Sequence, residues 1–395
     1  MKYLLIITVA LGIASCNLKG KSPSDSENID ERKWSQKMAD AVMNQYDSLV
    51  YFQNPSKVKW EYDFALLGQA VDRLGNIDRK YSTYMSDYID YFVQDNGQIL
   101  TYKLSDYNID RINPGKNAIT LYKRTGEEKY KKVIDQLVDQ MRNHPKTESG
   151  GYWHKKRYPN QMWLDGIYMA SPFLAQYAKE FNDPEWFDVI THQIKLIYTK
   201  TKDEKTNLLY HAWDESKEQR WSNSKTGLSP HFWSRAMGWY LMAIVDVLDY
   251  LPEEHKDRNE LISILNNTCE ALLNVRDEKT GLWYQVLDQG NREGNYLEGS
   301  GSSMFAYAFA KGASNEYLDP KYTKLANETF DGIINNLITK NEDGIFVMKN
   351  ICGGCGLGGN PYRDGSFEYY VTEKIVDNDT KGVGPFIMAA LELDR

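Results

Sequence analysis

Residues 150–179 read GGYWHKKRYPNQMWLDGIYMASPFLAQYAK, and the order of features in this stretch recurs along the chain. A short aromatic segment at residues 151–154 is followed by a polar stretch and then by a helical pattern that begins near Gly166. Apolar residues at three- and four-residue steps indicate that helix: Ile167, Ala170, Leu174, Tyr177 and Phe181. The stretch therefore predicts one unit of aromatic segment, polar loop and helix.

Similar aromatic segments occur at five places, which are residues 97–102, 151–154, 208–211, 281–284 and 344–347. Each interval between them is long enough for two helices and their turns. Helical patterns begin after the first four segments, near Asn113, Gly166, Arg235 and Ser302. Further helices precede the last four segments, such as 127–143, 184–199 and 259–275.

Repeated helix pairs of this kind predict a closed or stacked helical array. We interpret them as an all-α fold, an (α/α)6 barrel or six-hairpin toroid with short aromatic strand-like segments at its funnel end. An open helical solenoid is the competing interpretation, and its groove would favour a binding module. In a toroid the inner helices begin at the same end. That geometry would gather these residues in one funnel: Tyr62, Asp110, His154, Asp165, His211, Trp233, Arg235 and Trp239.

The N-terminal residues have the pattern of an export signal. Lys2 precedes an apolar run that is too short to span a bilayer, and the run ends in small residues directly before Cys16. This resembles a bacterial lipobox, so we expect a lipoprotein signal peptide at 1–15, lipidation at Cys16, a flexible tether at 16–31 and a single catalytic domain at 32–395. The protein would be exported to the periplasm or outer membrane and touch the membrane only through its lipid anchor. An ordinary cleaved signal with an incidental Cys16 is the alternative.

The composition limits the class of partner. The chain carries 47 basic and 55 acidic residues, a net charge of −8, and shows no basic stripe, so we expect no nucleic-acid partner. It is rich in Trp and Tyr, which stack on sugar rings, although amphipathic packing explains that richness almost as well.

Two carboxylates are candidates for chemistry. Asp165 lies among apolar residues, where a carboxyl group is poorly solvated, as a proton donor requires. An acidic helix cap is the plainer interpretation of this stretch alone. Asp110 precedes the helix that starts at Pro114. Two interpretations are equally supported: Asp110 caps that helix, or it faces Asp165.

Arg235 and Trp239 lie four residues apart, on one face of a predicted helix. A guanidinium beside an aromatic plane suits a sugar carboxylate, although a surface arginine packed on a core tryptophan is the commoner arrangement. His154 and His211 end equivalent aromatic segments, which raises the chance that both belong to a site. No short His/Asp/Glu ligand spacing accompanies them, so we expect no metal.

Cys352 and Cys355 form the one CxxC motif. Four-ligand zinc would need a second pair, and Cys269 is the only other cysteine after Cys16. A strained disulfide and two free thiols both remain open, and we assign the pair no catalytic role. A cysteine-nucleophile enzyme is a weak rival, because no cysteine lies in a recognisable nucleophile motif. The sequence also lacks a Walker-type phosphate loop.

Four stretches together resemble glycoside hydrolase family 105, the unsaturated rhamnogalacturonyl hydrolases. They are QMWLDGIYMA at 161–170, FWSRAMGW at 232–239, GLGGNPYRDGSFEYY at 356–370 and KGVGPF at 381–386. The resemblance covers nearly the whole predicted domain and implies an (α/α)6 barrel. It also implies a hydrolase without metal or other cofactor, which acts on the unsaturated pectic oligosaccharides left by lyases. We expect a monomer. Such enzymes hydrate the C4=C5 bond of a terminal Δ4,5-unsaturated galacturonic acid.

By this resemblance Asp165 is the proton donor. The expected ligands of the unsaturated sugar are Asp110, His154, Arg235 and Trp239, and the expected further pocket residues are His211, Trp233, Trp163 and Tyr62. Asp110 also matches family 88, the unsaturated glucuronyl hydrolases, so that activity stays an alternative. A second alternative is a non-catalytic glycan-binding lipoprotein, which would be expected to lose the acid that this chain retains.

Overall fold

The computed structural model describes residues 31–52 and 58–395. The predicted signal peptide, Cys16 and residues 16–30 of the predicted tether lie outside the described residues. None of the helices in the described ranges is long and apolar enough to cross a membrane.

The described residues are mostly helical, with a few short strands. The helices are α1 Trp34–Gln45, α2 Tyr62–Asp72, α3 Arg79–Phe92, α4 Gly115–Thr125, α5 Glu128–Arg142, α6 Leu164–Glu180, α7 Glu185–Thr201, α8 Ser234–Leu248, α9 Arg258–Leu273, α10 Gly299–Ser314, α11 Lys321–Leu337, α12 Phe367–Thr372 and α13 Thr380–Glu392. The strands are β1 Gln161–Trp163, β2 Ala212–Asp214, β3 Ile338–Lys340 and β4 Phe346–Met348. Predicted and observed helix starts agree within a few residues.

Within the described residues six helices form a closed inner ring, in which α2, α4, α6, α8, α10 and α13 pack in that order and α13 returns to α2. Helices α3, α5, α7, α9, α11 and α1 each pack outside one inner helix. The (α/α)6 toroid is therefore confirmed, and the open solenoid is wrong because the last helix contacts the first inner one.

The sequence of each layer explains its position. Outer helix α5 buries one face and exposes the other; its buried apolar residues are Tyr130, Val133, Ile134, Leu137, Val138 and Met141. Inner helix α8 is buried nearly all round and needs small residues where a neighbour comes close. A Cβ added at Gly238 would lie 2.7 Å from Met304 of α10, so the glycine permits the close contact between these two helices.

A backbone conformation explains the repeated aromatic segments. Each is preceded or opened by a residue with positive φ, where glycine and asparagine are the least strained: Gly97, Gly150, Asn207, Gly281 and Gly344. In the third turn Asn207 N–H donates to the Asp203 carbonyl, and Asp203 N–H donates to that of Leu208. The other four turns repeat this pair of bonds. The turn reverses the chain after an outer helix and directs the aromatic segment toward the next inner helix.

The strand-like character of these segments is local. The first three segments each make a single antiparallel bridge with a residue just before the turn. The fifth segment forms β4, which pairs with β3. A second two-stranded sheet joins loops of neighbouring repeats, since β1 pairs with β2 and Trp163 lies opposite Ala212. This sheet fixes the residues directly before Asp165 against the segment that follows His211.

His144 joins two loops beside the funnel. Its Nε2 lies 2.7 Å from the Trp153 carbonyl and its Nδ1 3.4 Å from Gln140 Nε2, which also donates to the Asn108 carbonyl. Burial lowers the pKa of His144 to about 4, although the bond to Trp153 opposes the change. The neutral ring can therefore donate from Nε2 and accept at Nδ1.

We expect His144→Gln to weaken the pH dependence of stability between pH 6.5 and 4. In this window the unfolded chain binds a proton at His144 that the native state does not, so falling pH favours unfolding. In urea titrations the variant should lose less unfolding free energy than wild type over this window, by about 3 kcal/mol at most. His192→Gln is the control, because His192 also contacts a main-chain carbonyl but is exposed. An equally steep loss in His144→Gln would contradict the assignment.

Glu298 caps α10 and ties it to the 352 loop. The fully buried carboxylate accepts hydrogen bonds from Gly301 N–H, Ser300 Oγ and the Cys352 N–H. These bonds satisfy backbone donors that water cannot reach.

Glu298→Ala should therefore lower the unfolding free energy by about 3 kcal/mol. The change removes the cap of α10 and leaves a buried backbone N–H without an acceptor. Denaturant melts at neutral pH would measure this. The exposed Glu342→Ala serves as the control, and a change in Glu298→Ala as small as in the control would show that the cap is dispensable.

Candidate active site

Asp165 is the second residue of α6, at the funnel end of the inner ring. The cap position of this helix is Trp163, whose side chain makes no capping bond, and Asp165 Oδ2 has no hydrogen-bond partner among the described residues. The side chain keeps 14% of its exposure. The structure thus contradicts the plainer interpretation that Asp165 is a helix cap.

His211 faces this carboxyl group. Its Nε2 lies 3.3 Å from Asp165 Oδ2, although the two atoms are not aligned as a hydrogen bond. The other ring nitrogen, Nδ1, lies 2.8 Å from the Tyr370 hydroxyl. His211 is fully buried, so this contact with Tyr370 holds the ring plane in place beside the acid.

An aromatic stack connects the two candidate histidines. The His154 and Trp163 rings lie 4.3 Å apart at 9°, and the Trp163 and His211 rings meet edge-on at 5.4 Å. Tyr158 also stacks on Trp163, at 5.2 Å. The structure therefore brings together Asp165, His211 and His154, which the sequence pattern placed in one funnel, and Trp163, which only the family resemblance assigned to the pocket.

Asp110 lies at the other side of His154. Its carboxylate is 2.5 Å from Lys155 Nζ and 3.4 Å from His154 Nε2. Burial by itself raises the pKa of Asp110, but the charge of Lys155 outweighs burial and holds this pKa below its ordinary value. Burial has the opposite effect on the base His154 and lowers its pKa to about 4. Asp110 is thus an ionised carboxylate beside a neutral imidazole at neutral pH, and it does not cap α4.

Arg235 is 1% exposed and partly engaged by the protein. Its Nη1 donates to the Cys352 carbonyl at 2.5 Å and to Ser300 Oγ at 3.3 Å, while its Nε has no partner in the described chain. The guanidinium lies 4.8 Å from the Trp233 ring. The predicted guanidinium–indole pair is therefore made with Trp233 and not with Trp239.

Trp239 and Tyr62 lie in the interior of the ring, next to each other. Trp239 is 1% exposed, stacks on Tyr168 at 4.9 Å and meets Tyr62 edge-on at 6.0 Å. Tyr62 keeps partial exposure. Of these two rings, Tyr62 is the one with accessible surface, and Trp239 packs against it from the core.

Trp233 is also fully enclosed. Its Nε1 donates to Gln285 Oε1 at 3.0 Å, and its ring lies 4.8 Å from that of His211. Gln285 in turn donates to the Tyr370 carbonyl. Trp233 therefore positions His211 and Arg235 and is not itself open to the funnel.

Sequence reasoning missed Lys155 and Tyr370 as partners of the site. Lys155 directly follows His154, and Tyr370 is the last residue of the quoted stretch 356–370, so both residues are in or beside the motifs. Neither position alone indicated which carboxylate or imidazole it would contact.

Cys352 and Cys355 are free thiols with their sulfur atoms 3.3 Å apart, and Cys269 is free and buried. A hydrogen bond from Cys355 is the main cause that lowers the pKa of Cys352 to about 7, with help from the Arg235 charge against burial. The pair holds the loop whose carbonyl binds Arg235.

A group of three possible metal ligands exists in the described chain at Asp188, His255 and Asp257. Lysines already neutralise both carboxylates, since Lys256 lies 2.7 Å from Asp188 and Lys195 2.6 Å from Asp257. It offers a poor cation site and shares no residue with the funnel cluster.

Comparison with known proteins adds the family. The model of the family described as Glycosyl Hydrolase Family 88 matches residues 34–395. A solved glycoside hydrolase from family 105 of C. acetobutylicum ATCC 824 is 48% identical, covers 92% of this chain and 99% of its own, and superposes with a TM-score of 0.88. Protein Atu3128 of Agrobacterium fabrum is 36% identical over 232 residues, 57% of this chain and 97% of that protein. Unsaturated rhamnogalacturonyl hydrolase YesR of Bacillus subtilis is 24% identical over 313 residues, 76% of this chain and 84% of that protein. The family 88 model thus also matches relatives of family 105. The prediction from the four quoted stretches is confirmed, and this chain is a glycoside hydrolase of family 105.

Proposed function

We propose that this glycoside hydrolase removes Δ4,5-unsaturated galacturonic acid from the non-reducing end of rhamnogalacturonan lyase products. The observation that carries the proposal is the Asp165 carboxyl group, partly exposed at the funnel and without a hydrogen-bond partner at Oδ2 among the described residues. The name of the YesR relative supports the same substrate class.

The two carboxyl groups have different surroundings, which supports different roles. Lys155 keeps Asp110 ionised, so it can accept hydrogen bonds from sugar hydroxyls. No lysine or arginine pairs with Asp165 in the described ranges, where the nearest side chain to its Oδ2 is the imidazole of His211. Asp165 is therefore the better proton donor of the two.

The proposed reaction consumes one water and needs one acid. Asp165 delivers its proton to C4 of the unsaturated sugar, and the C4=C5 pair of electrons forms the new C–H bond. Water then adds its oxygen to C5, and the Asp165 carboxylate accepts the proton that this water releases. The resulting hemiketal opens as its C5–ring oxygen bond breaks, which leaves a ketone at C5 and passes the hemiketal proton to the former ring oxygen on C1. The hemiacetal thus formed at C1 collapses to an aldehyde, and the bond from C1 to the remaining sugar breaks as that hydroxyl proton passes to the leaving oxygen. Hydration explains why one carboxyl group suffices where ordinary glycosidases use a spaced pair.

The substrate carboxylate needs a positive environment. Arg235 is charged and buried, so water and salt screen its positive charge little and the charge favours an anion in the funnel. The N-termini of the inner helices add partial positive charge at this end of the ring. An anionic sugar is thus better matched to the funnel than a neutral one.

Asp165→Asn should abolish turnover, by at least about a hundredfold, because the amide cannot donate the proton. Its binding of the unsaturated galacturonyl-rhamnose disaccharide should persist in calorimetry, since the change is isosteric. The matched control is Asp188→Asn on outer helix α7, which should keep wild-type rates. Wild-type activity in Asp165→Asn would rule out this donor.

The substrate is tested by following the ultraviolet absorbance of the conjugated double bond during incubation with that disaccharide. Loss of absorbance together with release of rhamnose would support both the chemistry and the substrate. Activity only on unsaturated glucuronyl substrates would transfer the proposal to that alternative. Binding without turnover on all of them would favour a glycan-binding protein.

A further inference from the structure

A groove of about 650 Å³ opens beside Asp110, and its lining is unusually basic for this chain. Two of its lining side chains are acidic and five are basic, whereas the whole chain has more acidic than basic residues. The basic members, which define what we name the basic groove, are Lys59, Arg111, Lys155, Lys156 and Arg157.

The basic groove is continuous with the candidate active site. Lys155 lines the groove and also forms the 2.5 Å ion pair with Asp110. Arg111 directly follows Asp110 and pairs with Glu61 at 3.2 Å. A sugar chain whose terminal residue contacts Asp110 therefore has the groove as a neighbouring surface.

Two of the cations have no carboxylate partner among the described residues. Lys156 and Arg157 are exposed, and neither takes part in an ion pair there. Each instead lies over an aromatic ring, Lys156 Nζ at 5.5 Å from the Tyr107 centroid and Arg157 at 4.9 Å from that of Tyr158. The rings restrict these long side chains, so their charges are held at the groove while remaining available to a ligand.

We propose that the basic groove binds an anionic group on the oligosaccharide beyond the unsaturated residue, and so selects substrates that carry such a second anionic group over those that lack one. The inference rests on the proposed function for the identity of that terminal residue. A substrate whose remaining sugars are all neutral would offer this second positive surface no charge to pair with. The surface matches a chain that carries another carboxylate or a sulfate ester.

Two sources can supply that anion, and the probes separate them. The carboxylate source is an unsaturated tetrasaccharide of alternating galacturonate and rhamnose, which carries its second carboxylate two residues further along. The sulfate source is the unsaturated disaccharide with a sulfate ester on its rhamnose. The unsulfated disaccharide is the reference for both.

The test uses the double variant Lys156→Glu/Arg157→Glu. The readout is the ratio of kcat/KM for each anionic probe to that for the reference disaccharide. For the probe that the groove recognises, we expect the ratio to fall about tenfold in the variant, mostly through KM, as two reversed surface charges would produce. In wild type the ratio should also decrease as salt rises, because salt screens exposed charges.

The matched control is Lys321→Glu/Lys324→Glu on outer helix α11, which makes the same change in net charge away from the groove. Its ratio should equal that of wild type. An unchanged ratio in the groove variant for both anionic probes, or an equal fall in the control, would overturn the proposal. Thermal melts confirm that all variants are folded.

Calorimetry with the same probes separates this inference from the proposed function. Tighter binding of an anionic probe by wild type than by the groove variant supports the groove even when no substrate is turned over. Turnover of the disaccharide with equal binding of every probe by both proteins leaves the function standing and rejects the groove.

Discussion

Closure of the inner ring by α13 is the constraint on which the rest of the structure depends. The helix packs between α10 and α2, and at its start Lys381 and Thr380 contact Asp63 of α2. Farther along, Gly384 lets the backbone of α13 approach Leu66 and Leu67 closely. Without this contact the array would be open, and the helix starts that form the funnel would not face one another.

The chemistry of the site follows from what closure encloses. Inner-helix starts place Asp165 and Arg235 at one end, and the loops between helices supply their partners. One loop brings His154 and Lys155 to Asp110, and another brings His211 to Asp165. Each carboxyl group thus receives its surroundings from a loop and its position from the ring, which is how two similar side chains acquire different roles.

Much of the fold was predictable because its signals are local. The positive-φ turn requires glycine or asparagine, so the turns at Gly97, Gly150 and Gly281 can be read directly from the sequence. The placing of Asp165 and His211 in one funnel also followed from the repeat, because the inner helices of a toroid begin at the same end. Predicting the funnel did not require any knowledge of loop conformation.

Contacts between distant segments were not predictable. Tyr370 lies 159 residues from His211, and no periodic pattern relates them. Arg235 lies over Trp233, because helical side chains lean toward the N-terminus and so away from Trp239 one turn later. Lys155 adjoins His154 in sequence, yet its contact with Asp110 depends on how two loops meet. Helix spacing alone cannot specify such directions.

The position of the closing helix also bears on how the chain acquires its structure. Because Thr380 of α13 lies 317 residues after its partner Asp63 of α2, the apolar edges of α2 and α10 gain their common partner only when α13 docks. Contacts of such long sequence separation form slowly, since the loop they close must first lose its entropy. Closure of the ring is consequently a late step of folding, and a chain in which α13 has not yet docked exposes two apolar helix edges that favour aggregation.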